Sequence, residues 1–74
     1  MQELNKEIGK IIAKKRKEKA FSQEKLAEFA QIHRTYVSQI ERGLKSPTIV
    51  VLAQIAKSLG TKLSELLQEI ENTL

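Results

Sequence analysis

The stretch Ser22–Gly43, SQEKLAEFAQIHRTYVSQIERG, decides the fold that this 74-residue sequence predicts. Ser22 is a good N-cap and starts a helix that is expected to end near residues 30–31. A second helix is predicted from about residue 34 to residue 42, because Gly43 favours a helix end. Two short helices joined by about three residues form a helix-turn-helix, so the stretch predicts this motif.

Helical spacing also recurs on both sides of this stretch, and no segment alternates as a strand would. We expect further helices over about residues 2–19, 49–59 and 63–72. The apolar residues expected on the inward faces or apolar stripes of these helices are Leu4, Ile8, Ile11, Ile12, Leu26, Ala27, Ala30, Val37, Ile40, Ile49, Leu52, Ile55, Ala56, Leu59, Leu63, Leu66, Leu67, Ile70 and Leu74. The sequence therefore predicts one all-α domain over residues 1–74, a compact bundle of five helices.

Composition argues against several classes of function. The chain has no cysteine and one histidine, so we expect no disulfide, no metal site and no cofactor. No apolar run approaches the roughly 20 residues that span a bilayer, and the polar start predicts no secretion signal, so a cytoplasmic protein is expected. An enzyme is not favoured, because the sequence lacks a cysteine nucleophile, a histidine–acid pair and a phosphate-binding glycine loop.

Charge is unevenly distributed along the chain. Residues 1–47 hold eleven Lys or Arg and six Asp or Glu, whereas residues 48–74 hold two Lys and three Glu. The net charge of +4 therefore resides in the first two thirds, which suits a surface that faces a polyanion such as nucleic acid. The alternative is a solubilising surface, and we assign the lysine-rich stretch 10–19 to a solvated helix face.

The second helix of the motif separates polar from apolar side chains, with Val37 and Ile40 facing inward. Its outer face is expected to present Arg34, Thr35, Ser38 and Gln39. A recognition helix needs this arrangement, because its N-terminal side chains must reach base edges in the major groove. Arg34 suits a bidentate contact to guanine, and Gln39 suits a contact to adenine. Tyr36 could pack on the sugar-phosphate backbone or only cover the edge of the core.

Four segments together resemble the lambda-repressor-like (Cro/repressor, XRE-type) DNA-binding domain. They are SQEKLA at 22–27, HRTYVSQIERG at 33–43, SPTI at 46–49 and LAQIAKSLG at 52–60. The resemblance covers about residues 6–70. Within the family, the HRTY string is most similar to controller proteins of restriction-modification systems. The resemblance implies a bacterial or phage DNA-binding protein whose DNA-reading part is Ser22–Gly43.

The resemblance also implies roles for individual residues. Base contacts are expected from Arg34, Thr35, Ser38 and Gln39. Contacts to the DNA backbone are expected from Ser22, Gln23, Tyr36, Arg42, Lys45 and Ser46, of which Gln23 lies at a helix N-terminus that attracts phosphate. Arg16 and Glu41 are expected to form a partly buried, structural salt bridge between the first helix and the recognition helix.

Three positions depart from the family pattern. Gln31 and Ala20 stand where glycine is frequent, and Gln31 would be strained if the turn required a positive φ there. Lys15 stands where leucine is frequent, so this face of the first helix is expected to be more hydrated than usual. None of the three lies on the face that is expected to read DNA.

The fourth and fifth helices carry more apolar surface than a monomer of this size needs, which usually indicates a partner. We expect a two-fold homodimer through residues 49–59 and 63–72. Its interface residues are expected to be Val51, Leu63, Leu66, Leu67 and Ile70. A dimer would place two recognition helices about one DNA turn, roughly 34 Å, apart. The alternative is a monomer that packs the fifth helix into its own core.

We therefore expect a homodimeric transcriptional regulator that binds near-palindromic double-stranded DNA. The resemblance to controllers implies an activator that later represses its own promoter, with RNA polymerase as a partner during activation. No membrane partner and no small-molecule ligand are expected. The alternatives are a free-standing phage-type or developmental repressor and an antitoxin-type interaction module of the same fold. An RNA-binding module is less favoured, because no exposed aromatic platform is expected.

Overall fold

Five α-helices follow one another in the computed structural model, which describes residues 2–74. They are α1 (Gln2–Glu18), α2 (Gln23–Ala30), α3 (Arg34–Glu41), α4 (Ile49–Ser58) and α5 (Leu63–Glu71). The described residues contain no strand, so the predicted all-α fold is confirmed. Four of the helices end one residue earlier than expected. The residues just past these ends still donate their backbone N–H groups to helix carbonyls; they are Lys19, Arg42, Leu59 and Asn72.

All five helices share one apolar core. Its centre holds Ile12, Leu26, Ile40, Ile55 and Leu66, one from each helix and all fully buried. Helix α1 packs on α3 and α5, and α4 packs on α2 and α5. No helix among the described residues is both long and apolar enough to cross a membrane. The core therefore holds α2 and α3 in place against the other three helices.

Three residues of the expected inward faces and apolar stripes are exposed. Ile49 is 55% exposed, Leu67 is 37% exposed and Leu74 is 81% exposed. Ile49 is the first residue of α4, and Leu74 follows the end of α5, so both lie where a helix end extends past its neighbours. Helical periodicity gives the direction of a side chain but not how far the packed core extends along the helix.

Helix α1 crosses α3 at a glycine. A Cβ added to Gly9 would lie under 3.0 Å from the backbone carbonyl atoms of Ile40 and Glu41. Gly9 costs helix stability relative to alanine, but here it allows two helix backbones to touch. A glycine inside a predicted helix is the sequence signal for such a close approach.

Two turns use non-glycine residues in the left-handed conformation. Ala20 has φ 60° after α1, and Gln31 has φ 59° between α2 and α3. Side chains in this region are strained, because Cβ approaches the following carbonyl oxygen. The strain expected at Gln31 is confirmed, and the turn conformation is kept because Gln31 N–H and Ile32 N–H still bond to carbonyls of α2.

Helices α1 and α5 are joined by an ion pair that the sequence did not predict. Lys15 Nζ lies 2.5 Å from a carboxylate oxygen of Glu69, and the lysine side chain is only 22% exposed. The assignment of Lys15 to a solvated helix face is therefore wrong. Most of its side chain is covered while the ammonium reaches a carboxylate on α5.

Candidate nucleic-acid interface

Side-chain caps fix the start of both helices of the motif. Ser22 Oγ accepts the backbone N–H of Lys25 at 3.0 Å, which caps α2. His33 Nδ1 accepts the backbone N–H of Thr35 at 3.2 Å, which caps α3. These bonds satisfy donors that a helix N-terminus otherwise leaves unpaired. The caps therefore define where the recognition helix begins, directly before Arg34.

The outer face of α3 is polar, as the sequence predicts. Arg34 and Thr35 are exposed in its first turn, whereas Ser38 and Gln39 are half-buried one turn later. On the opposite face, Val37 and Ile40 belong to the core. Tyr36 is half-buried and packs against the core, which agrees with the alternative that it covers the edge of the core. The structure thus brings the four residues expected to contact bases onto one face, with Arg34 the most accessible cation there.

Arg34 is free to meet an external anion. Among the described residues, no carboxylate lies within 4.0 Å of its guanidinium, although several other cations of the chain are paired. A guanidinium at the start of a recognition helix can form two parallel hydrogen bonds to the O6 and N7 atoms of guanine. The geometry therefore suits Arg34 to direct base contact.

The loop after α3 carries the other expected backbone contacts. Arg42, Lys45 and Ser46 are all exposed. The loop leaves the helix through two hydrogen bonds, from Gly43 N–H to Ile40 O at 3.0 Å and from Leu44 N–H to the α3 carbonyl of residue 39 at 2.9 Å. Neither Arg42 nor Lys45 pairs with a carboxylate of the described chain. These cations are available to phosphate groups.

Arg16 and Glu41 form the ion pair that the resemblance implies. Arg16 Nε lies 2.6 Å from Glu41 Oε2, and Arg16 Nη2 lies 3.1 Å from Glu41 Oε1. Their side chains are 11% and 6% exposed. Arg16 Nη1 also donates to the backbone carbonyl of Phe21 at 2.7 Å, just before α2. One guanidinium therefore ties α1 to both helices of the motif.

Gln23 belongs to the same network. Its Nε2 donates to Glu41 Oε1 at 2.9 Å, a contact that the sequence did not predict. The carboxylate of Glu41 thus receives hydrogen bonds from three donor groups on two residues, Arg16 and Gln23. An amide has two N–H groups, so Gln23 keeps a second donor while its side chain is held in place by Glu41.

One aromatic ring is exposed at the C-terminal end of α2. Phe29 is 51% exposed and meets Phe21 edge-to-face, with ring centroids 5.3 Å apart. Lys25 Nζ lies 5.3 Å from the centroid of the Phe29 ring. The sequence did not predict this exposed ring. A single ring covered by a lysine is still not the multi-ring surface on which RNA-binding modules stack bases.

Comparisons with known proteins agree with this geometry. The sequence profile described as helix-turn-helix matches residues 12–66, a segment that includes α2, α3 and α4. Control protein C.MunI of Mycoplasma sp is 40% identical over 72 residues, which is 96% of this chain and 97% of that protein.

Two solved structures of restriction-modification controllers have the same fold. The controller C.AhdI from Aeromonas hydrophila superposes with a TM-score of 0.81 at 31% identity, covering 84% of this chain and 94% of that chain. C.Esp1396I, bound to a 19 base pair DNA duplex, superposes with a TM-score of 0.84 at 33% identity, covering 93% of this chain and 92% of that chain. The chain therefore belongs to the helix-turn-helix family of DNA-binding transcriptional regulators.

Proposed function

We propose that this protein is a restriction-modification controller that binds near-palindromic double-stranded DNA as a homodimer. The observation that carries the proposal is the unpaired, exposed Arg34 at the capped start of α3, on a helix anchored through Glu41. The similarity to C.MunI over nearly the full length of both chains supports the narrower assignment. In this function the chain is not an enzyme, and its place is the cytoplasm, where it meets DNA.

The proposed contacts divide between bases and backbone. Arg34 and Thr35 contact bases first, and Ser38 and Gln39 contribute from the second turn of α3. Contacts that position the protein on the DNA backbone come from Ser22, Gln23, Tyr36, Arg42, Lys45 and Ser46. Phosphate contacts fix register and orientation, whereas base-edge contacts select the sequence.

The dimer surface that we propose differs from the one expected from sequence. Leu66 is 0% exposed and Ile70 is 7% exposed within a single chain, so both belong to the monomer core and neither offers a surface to a partner. Exposed apolar area is found instead at Leu44, Ile49, Val50 and Leu67, with Val51 and Leu63 half-buried. We therefore place the interface on the exposed parts of α4 and α5.

Control by concentration is the simplest regulation for such a dimer. A first dimer on one site would activate transcription by contacting RNA polymerase, and a second dimer on a neighbouring site would repress the promoter. Both effects would depend on how much protein has accumulated, and neither requires a small-molecule ligand.

DNase footprinting of the DNA upstream of the gene tests the proposed function. We expect protection of paired half-sites about one helical turn apart. Arg34→Ala should weaken operator binding by about 5- to 150-fold for each protomer, since one bidentate base contact is worth about 1–3 kcal/mol. Lys57→Ala is the matched control, because Lys57 is also an exposed and unpaired cation but lies on α4. Equal affinity for operator and random DNA would contradict the proposal.

Sedimentation equilibrium at micromolar concentration tests the dimer separately. Leu67→Lys should shift the protein towards monomer, because a charge on an apolar interface must be desolvated when the partner binds. Phe29→Lys is the control, since Phe29 is also an exposed apolar residue, at 51%, but lies on α2. A monomeric parent protein, or the same shift in both variants, would refute this interface.

A further inference from the structure

Lys6, on α1 and outside the helix-turn-helix, lies directly against the end of the recognition helix. A Cβ added to Gly43 would lie 2.7 Å from Lys6 Cγ and 3.0 Å from Lys6 Cα. Gly43 follows Arg42, the C-cap of α3, and adopts a φ of 76°. The absence of a side chain at Gly43 therefore allows the stem of Lys6 to cross the start of the α3–α4 loop.

This contact brings Lys6 beside a loop that carries two further cationic residues. Lys6 is exposed, and so are Arg42 and Lys45, which flank Gly43 in the chain. Among the described residues, none of the three has a carboxylate within 4.0 Å. Like charges that are gathered without an internal counter-charge repel one another, so the cluster favours an external anion.

The other lysines of α1 differ from Lys6. Lys10 lies 3.9 Å from Glu7, and Lys15 pairs with Glu69. Lys14 and Lys17 are exposed and unpaired, but they lie eight and eleven residues from Lys6, or about 12 and 17 Å along the helix axis. Lys6 is therefore the lysine of α1 that the fold places beside the α3–α4 loop.

We propose that Lys6 binds a DNA phosphate, next to the phosphates bound by Arg42 and Lys45. The proposal rests on the proposed function and extends the DNA-contacting surface from the helix-turn-helix to the first helix. Lys6 adds no base selectivity in this role, because an ammonium on a phosphate reads no sequence. It strengthens binding to operator and random DNA alike, in a salt-dependent way.

Fluorescence anisotropy with a labelled duplex that carries the footprinted site, titrated between 50 and 200 mM salt, tests this role. Lys6→Gln should reduce the slope of log K against log salt by about 0.9 for each protomer. The ratio of the parent's DNA affinity to that of the variant should therefore fall about 3.5-fold per protomer as the salt rises from 50 to 200 mM. Lys6→Arg should keep the parent slope, and Lys14→Gln should keep it as well.

Thermal unfolding separates DNA binding from a structural role, since a cation at the C-terminal end of α3 also favours the helix dipole. An unchanged melting temperature with a reduced salt slope supports the proposal. A lowered melting temperature of Lys6→Gln together with the parent's salt slope overturns the proposal. Equal salt slopes for Lys6→Gln and Lys14→Gln overturn it as well. If the parent protein shows no preference for operator over random DNA, the proposed function fails, and the slopes on random DNA still decide the role of Lys6.

Discussion

Replacing Glu41 by glutamine is expected to destabilise the protein by about 3–5 kcal/mol, because it leaves the Arg16 guanidinium buried without a counter-charge. The Glu41 carboxylate accepts from Arg16 Nε, Arg16 Nη2 and Gln23 Nε2. A glutamine at this position offers one acceptor oxygen and turns its own NH₂ group towards donors. The substitution therefore removes a charge and also misplaces a hydrogen-bond donor.

The size of this effect should be large relative to the total stability of the chain. A domain of 74 residues is expected to have a free energy of unfolding of about 4–11 kcal/mol. A loss of about 3 kcal/mol would lower the melting temperature by more than about 12 °C at this size. Because Glu41 holds α3 against α1 and α2, DNA binding should weaken together with folding.

Urea unfolding followed by far-UV circular dichroism measures this loss. Glu69→Gln serves as the control, since it breaks the other interhelical ion pair, whose glutamate is 45% exposed. Because this pair is more exposed than that of Arg16 and Glu41, and surface pairs are worth about 0–1 kcal/mol, the control should change stability less. The double variant Arg16→Met/Glu41→Leu should be more stable than Glu41→Gln, because neither charge is then stranded. A loss for Glu41→Gln no larger than that for Glu69→Gln would refute the reasoning.

Three further substitutions separate competing effects. Gly9→Ala should destabilise the protein by about 1–3 kcal/mol in urea unfolding, because its Cβ would overlap the backbone at Ile40; stabilisation would show that helix propensity outweighs the close approach. Gln31→Gly should stabilise the protein by about 0.5–1 kcal/mol. Glycine relieves the left-handed strain, but the more flexible unfolded chain cancels part of this gain. The pKa of Glu65 is lowered, chiefly because its carboxylate accepts the backbone N–H of Lys62. The Glu65 carboxylate therefore contributes to stability above the ordinary pKa of 4.5, and this contribution is lost as the pH falls through the lower pKa of the folded state. In the variant Glu65→Gln, stability should depend less steeply on pH in this acid range.

Local signals in the sequence predicted much of the fold and of the site. Ser22 caps α2 and Gly43 adopts a positive φ after α3, because capping and turn preferences act within a few residues of the chain. The pair of Arg16 and Glu41 was predicted only through the family resemblance. Its partners are 25 residues apart, and no local rule connects them.

What the sequence could not predict depends on how the helices pack. The apolar residues of α5 form one stripe, but packing places Leu66 inside the core and leaves Leu67, one position later, partly exposed. The contact of Gln23 with Glu41 and the contact of Lys6 with Gly43 likewise join segments far apart in the chain. Their existence depends on where α1 crosses α3, which periodicity alone does not determine.

The position of Tyr36 gives the protein a built-in optical probe. Tyr36 is the only tyrosine and the chain has no tryptophan, so near-ultraviolet emission arises almost entirely from one ring on the recognition helix. That ring is half-buried between the core and the polar face of α3. Unlabelled protein can therefore report, through one emission signal, both the unfolding of this helix and the arrival of DNA beside it.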